Sequence, residues 1–152
     1  MRGILLSAVV ACCAGSQAYA QARDLYPWQL PPAALASMQR ILPRTYKDVE
    51  WIYQLKGVGS EVLNVTIAGK PYWSGAVCKP HDCADNRLAF LAAADGSRAV
   101  AGLMLQAKNM QTFGSPTAAE TAIFKRDFDR GRAGGPWLKP DEERAAQQKM
   151  LD

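Results

Sequence analysis

The stretch that most restricts how this chain can fold begins at Glu61, where apolar and polar residues start to alternate. Leu63, Val65 and Ile67 are interleaved with Asn64 and Thr66. A period of two sends successive side chains to opposite faces of an extended chain, so this is a half-buried strand. Ala68-Gly69-Lys70-Pro71 reads as a turn and Tyr72 to Val77 as the returning strand. Leu88 to Ala93 is a continuous apolar run, the pattern of a central strand. Asp95-Gly96 marks a hairpin whose second arm is Ala99 to Leu105. Four strands joined by short turns pair most simply as an antiparallel meander. The expected fold class is α+β: a single domain with a central antiparallel β-sheet flanked by helices and a protruding loop between two strands.

Helical spacing flanks this block. Leu35, Met38 and Leu42 recur at i, i+3 and i+7, and Pro43 is the stop. Thr117-Ala118-Ala119-Glu120 is a capping box, and Ile123, Phe124 and Phe128 supply the apolar stripe behind it. Lys125, Arg126 and Arg130 are expected to form its solvated face, and Gly131, Gly134, Gly135 and Pro136 its end. Carboxylate pairs such as Asp127/Asp129 and Glu142/Glu143 read as solvated helix faces rather than catalytic dyads. Asp141 to Met150 reads as a surface helix or a frayed tail. Tyr46 to Lys56 fits either a strand or an irregular packed segment, broken by Gly57 and Gly59. Residues 21–32, with Pro27, Pro31 and Pro32, form an N-terminal arm.

The first twenty residues read as an address. Met1-Arg2 is a basic start, Ile4 to Ala14 is mostly apolar, and Ala18-Tyr19-Ala20 is an A-x-A cleavage site. Together they make a secretory signal peptide. The apolar run is shorter than the ~20 residues a membrane span needs. A lipoprotein variant would use Cys12, since Val9-Val10-Ala11-Cys12 is a loose lipobox. The domain organisation is thus a cleaved signal peptide over 1–20 and one domain over 21–152, exported to a bacterial periplasm. The 132 remaining residues carry a formal charge of +3, because Arg2 is the only charged residue removed. The basic residues are interleaved with acids, so neither nucleic-acid binding nor membrane association is expected.

Export changes what the cysteines mean. Cys12 and Cys13 leave with the signal, and Cys78 and Cys83 remain. Two cysteines in an oxidising compartment ordinarily pair. The segment Cys78-Lys79-Pro80-His81-Asp82-Cys83 would then be a closed ring between strands ending at about Val77 and starting at about Arg87. The entropic stabilisation from so short a ring is roughly 2 kcal/mol. Pro80 has a fixed φ, and the ring has few conformations. A stiff exposed loop loses little entropy on binding. Lys79, His81 and Asp82 are expected to be exposed, and His81 is the only histidine. Two readings are open from these residues: a structural disulfide with a solvated tip, or a rigid binding element whose imidazole offers one or two hydrogen-bond donors.

The string CKPHDC at 78–83 resembles the signature loop of the Ivy family, periplasmic inhibitors of vertebrate-type (c-type) lysozyme. Trp51 upstream, the strand–turn–strand before the loop and Arg87-Leu88-Ala89-Phe90 after it are also similar, over roughly residues 45–105. The resemblance implies a non-enzymatic protein that blocks the lysozyme cleft. Cys78 and Cys83 would be the clasp, Pro80 the stiffener, and His81 the residue set against the two catalytic carboxylates. Lys79 and Asp82 would make flanking polar contacts. It implies no cofactor and no metal. The implied partner is a c-type lysozyme, with the cell's own lytic transglycosylases as an alternative target and a homodimer left open. Lysozymes of this class are strongly cationic, so like net charge slows encounter, and a local acidic patch of Asp82 and Asp85 would offset it. Readings from other classes use the same residues. A metal site of Cys78, His81 and Cys83 lacks a fourth Cys or His, and a redox role lacks the C-x-x-C spacing.

Overall fold

A computed structural model describes residues 25–133 and 139–152. The proposed signal peptide, Cys12 and Cys13, and Gly134, Gly135 and Pro136 lie outside them. Six strands form one antiparallel sheet: β1 (Val58–Gly59), β2 (Leu63–Ile67), β3 (Lys70–Lys79), β4 (Asp82–Ala93), β5 (Ala99–Met104) and β6 (Gln111–Phe113). β3 to β6 follow one another in space as a meander, and β1 and β2 both pair along the outer side of β3. The four expected strands are all present, with two short ones added. The β2–β3 turn needs positive φ at both central residues, and Ala68 (49°) and Gly69 (74°) supply it. The β4–β5 turn is held by Asp95, whose Oδ1 accepts from the Ser97 N–H at 2.9 Å. Those bonds hold the Asp95 carboxyl below its ordinary range.

Why Leu88 to Ala93 shows no alternation is now plain: β4 is covered on both faces. On one face Trp73, Val77, Leu88, Phe90, Ala101 and Leu103 pack against α1 (Pro32–Ile41) and α2 (Glu50–Tyr53), through Met38, Leu42, Trp51 and Ile52. On the other, Tyr72, Leu91, Val100 and Met104 pack against Ile123, Phe124 and Phe128 of α3 (Ala118–Ala133). At roughly 25 cal/mol per Å² of apolar surface, burial on both faces makes the Leu88–Ala93 half of β4, like the fully buried β5, a main hydrophobic contributor. α4 (Pro140–Leu151) lies along β2 and α3. Among the described residues, no helix is long and apolar enough to cross a membrane.

Local chemistry sets the helix limits. Pro31 and Pro32 start α1, since proline at the first helical position loses no hydrogen bond and has φ already set. Leu42 turns extended before Pro43, as a residue preceding proline must. Part of the N-terminal arm, Pro27–Gln29, is a 3-10 turn. The ambiguous Tyr46–Lys56 segment is helical: a 3-10 turn over Arg44–Tyr46 leads into α2, which buries Trp51 and Ile52. Its apolar residues are adjacent rather than periodic because the helix has only one turn. The Asp141–Met150 segment is the ordered helix α4.

The capping box at α3 forms as expected. Glu120 N donates to Thr117 Oγ1 at 3.3 Å, and Thr117 N donates to Glu120 Oε2 at 2.7 Å. Glu120 also takes a bidentate ion pair from Arg98 of the β4–β5 turn, at 2.5 and 2.9 Å. Gly131 does not end α3, contrary to expectation. A Cβ there would crowd the Arg87 guanidinium, so the glycine leaves room for that side chain rather than acting as a breaker.

Burial opposes ionisation of Glu120, but the Arg98 guanidinium and the Thr117 cap outweigh it and hold the carboxyl below its ordinary range. Its contribution is therefore present at neutral pH and is lost as the pH falls through the depressed folded-state value. Glu120→Gln is expected to cost about 2 kcal/mol at pH 7. In urea unfolding the gap between variant and parent should narrow as the pH is lowered to about 3.

Candidate functional site

β3 and β4 do not stop short of the cysteines, as expected from the sequence, but run through them. Lys79 pairs with Asp82, so the turn has two residues, Pro80 and His81. The projecting loop of about nine residues is instead a tight tip followed by an irregularity on one strand. Cys78 faces Arg87, yet the next pair is Lys79 with Asp82, which leaves Cys83 to Asn86 outside the register with β3. These four residues form a bulge, which bends a strand and re-aims what lies beyond it. The sequence hid this because Asp82 to Asn86 are polar and read as loop.

The disulfide joins Cys78 and Cys83 across the base of the tip, with Cα atoms 4.9 Å apart. Both sulfurs are consumed in the disulfide, so in the oxidised protein Cys78 and Cys83 present no thiolate to a metal ion. Cys78 is buried and Cys83 half-buried, while Lys79, Pro80 and His81 are exposed. Pro80 fixes the first turn residue at negative φ, and His81 takes φ +65°. That left-handed conformation is uncommon for a side chain other than glycine, though histidine is among the residues enriched there. The turn is thereby locked, with the sole imidazole at its apex.

Asp82 is less free than its flanking role suggested. Its Oδ2 accepts from Asn86 Nδ2 at 2.6 Å, and the Lys79 ammonium stands 3.4 Å away. With Asp82 engaged in this way, the expected acidic patch rests mainly on Asp85, which is exposed. The Asp85 carbonyl accepts from Ala107 N at 2.9 Å.

Two neighbours of the loop were given no role of their own from sequence, although Arg87 belongs to the stretch that carries the family resemblance. Asn86 and Arg87 are both buried, at 6% and 7% exposure. Asn86 Oδ1 accepts from Gln106 N at 3.1 Å, and Arg87 bridges the Cys83 carbonyl (3.5 Å) and Asp127 of α3 (3.2 Å). Their only local signal is that two polar residues directly precede an apolar strand. Asp127 is accordingly no solvated partner of Asp129. Burial pushes its carboxyl above the ordinary range, against the pull of Arg87 and Arg130.

The expected wet face of α3 is likewise half a helix interface. Arg126 and Arg130 both pair with Glu143 of α4, so Glu142 and Glu143 are not an equivalent exposed pair. Glu143 Oε1 accepts from Gln147 Nε2 at 3.2 Å, and Gln147 Oε1 accepts from the Ser74 hydroxyl at 2.6 Å. These groups line an open cavity of about 330 Å³ between the sheet and the two helices. Their polar atoms are spent on one another, whereas the tip directs its polar atoms outward. The tip is the better candidate site.

Replacing both Cys78 and Cys83 by Ala is expected to lower the unfolding free energy by roughly 2 kcal/mol, read from urea denaturation. The domain should remain folded, because neither main apolar cluster includes the tip.

Comparison with known proteins bears on the whole assembly. A family described as inhibitor of vertebrate lysozyme (Ivy) matches residues 36–150. The match extends well beyond the 45–105 stretch whose residues first suggested the likeness, and takes in most of α1, all of α3 and nearly all of α4. No curated protein matches the chain.

Proposed function

The chain belongs to the Ivy family, inhibitors of vertebrate lysozyme, and on that premise we propose that it inhibits c-type lysozyme by inserting the Cys78–Cys83 hairpin into the active-site cleft. The observation that carries this reading is the exposed His81, held at φ +65° on a two-residue turn closed by a disulfide. A narrow, stiff protrusion with a hydrogen-bonding apex is the shape that a cleft accepts.

The target's chemistry matches the apex. A lysozyme holds one carboxyl protonated as general acid and a second one ionised, about 5 Å apart. An imidazole can donate to the ionised group and bond to the acid, so one side chain can engage both. Occupied in this way, the acid has no leaving-group oxygen to protonate and the cleft has no room for the sugar. The inhibitor acts by filling the site and performs no reaction. Preorganisation matters, because every rotor frozen on binding subtracts from affinity, and Pro80 and the disulfide have already frozen most of those in the tip.

Net charge does not drive the encounter. The mature chain is cationic at +3, and long-range attraction to a cationic lysozyme is absent. Affinity rests on fit and on desolvated contacts at the apex. The leader read over 1–20 and the oxidised cysteine pair support a periplasmic location, where such an enzyme would attack the cell wall.

The test is a titration of residues 21–152, purified oxidised, into a c-type lysozyme acting on bacterial cell walls. The expected result is stoichiometric inhibition. His81→Ala should weaken it by ~2–5 kcal/mol, the cost of truncating one partner of a desolvated charged contact. Equal inhibition by parent and variant would sink the insertion reading. Absent inhibition by the parent at micromolar excess would redirect the search to lytic transglycosylases.

A further inference from the structure

We infer that Asn86 is a positioning residue for the inhibitory hairpin: by clamping Asp82 across the bulge it sets where His81 points. The inference rests on the reading of 78–83 as the lysozyme-blocking element.

A hairpin standing beyond a four-residue bulge is joined to its sheet by regular pairing on one strand only. Here β3 runs straight to Lys79, while on the β4 side the ladder is lost from Cys83 to Asn86. The disulfide closes the tip upon itself, but residues 84–86 lie outside that ring. The ring therefore fixes the shape of the tip and joins the sheet through Cys78 on β3, which leaves its angle to the sheet held from one strand only. Something else must set that angle if His81 is to arrive in register with two carboxylates.

Asn86 is placed to do so. Its side chain reaches back four residues, donating from Nδ2 to Asp82 Oδ2 at 2.6 Å. Its Oδ1 accepts from Gln106 N at 3.1 Å, and the adjacent Asp85 carbonyl accepts from Ala107 N at 2.9 Å. Gln106 and Ala107 both stand in the left-handed region, at φ 53° and 55°. Such a conformation is unfavourable for side-chain-bearing residues and persists where the surroundings impose it. Here it turns two successive N–H groups towards the bulge. The neighbouring Arg87 ties the Cys83 carbonyl to Asp127 of α3, so the bulge is held both by the β5–β6 connection and by α3.

The arrangement requires an amide. One planar group must donate on one side and accept on the other, at an almost fully buried position. Asp has the same shape and keeps the acceptor for Gln106, but it removes the donor and sets a second carboxylate against Asp82. Asn86→Asp thus separates aiming the hairpin from supporting the 105–107 connection.

The experiment compares parent, Asn86→Asp, Asn86→Ala and His81→Ala, each oxidised, together with the double variant Asn86→Asp/His81→Ala. Inhibition constants against a c-type lysozyme are measured, and amide hydrogen exchange is followed in the free proteins. Both Asn86 variants should bind on the order of tenfold to a hundredfold more weakly, the range for one hydrogen bond to a charged group. In the His81→Ala background the Asn86→Asp change should cost less than about threefold, because its effect passes through His81. Exchange should rise at the amides of 78–83 (Pro80 has none) and stay at the parent rate over Leu88–Leu91.

Unchanged affinity for Asn86→Asp beside a weakened His81→Ala would overturn the role of Asn86 and leave the insertion reading standing. Exchange raised equally over Leu88–Leu91 would show a general structural role and overturn it as well. Full inhibition by His81→Ala would remove the insertion reading, and this inference with it.

Discussion

Burial of β4 on both faces is the constraint from which the rest of this fold follows. A strand whose side chains are apolar in both directions cannot lie at a surface. From Leu88 to Ala93 every residue is buried, so helices must cover the sheet on each side: α1 and α2 on one face, α3 on the other. With both faces taken, only the edges and ends of the sheet remain for contact with another molecule. The β3–β4 connection is one of those ends, and it carries the disulfide, the bulge and the only histidine. The proposed inhibitory element stands on β3 and β4, two long paired strands inside the sheet, a mechanically sound place for a part that must hold its shape.

Much of this was legible in the residues because the interactions concerned are local. The alternation over Leu63–Ile67 reports one covered face, and the apolar run over Leu88–Ala93 reports two. The Thr117/Glu120 capping box and the Asp95-Gly96 turn are each complete within a few residues. The Cys78–Cys83 pairing needed only the compartment and the spacing. What the sequence withheld depends on residues distant along the chain. Arg87 meets Asp127 forty positions later, and no short-range pattern announces such a pair. Gly131 looked like a helix terminator because glycine ordinarily is one, and only the Arg87 guanidinium beside it gives the reason for it inside α3. The bulge was illegible for a related reason. Register is a property of two strands, and the polar run Asp82–Asn86 is compatible with either a loop or an interrupted ladder.

The same long-range contacts explain how charged residues on α3 and α4 serve the fold. Arg126, Arg130 and Glu143 hold the two helices together, and Gln147 carries the chain of hydrogen bonds down to Ser74 on β3. α3 is seated on the sheet by Ile123, Phe124 and Phe128, and the more polar α4 is fastened to α3 and the sheet mainly through this network. Such networks are worth little per exposed pair, but as a connected set they define one orientation for the helix pair, and through Asp127 they reach Arg87 at the base of the hairpin.

The brevity of the turn has one more consequence. If the chain is exported to meet a lysozyme, as proposed, it also meets proteases, and exposed loop tips are where chains are ordinarily nicked. Cleavage requires a segment that can open into an extended strand within the protease cleft. Pro80 and His81 span the whole turn, and the disulfide bars the opening. The exposed cation of the tip, Lys79, is followed directly by the ring of Pro80, which also removes the N–H of the adjoining peptide bond. The geometry proposed to suit the hairpin to one enzyme's cleft would make it a poor substrate for others, so an exposed part would also be among the hardest to cut.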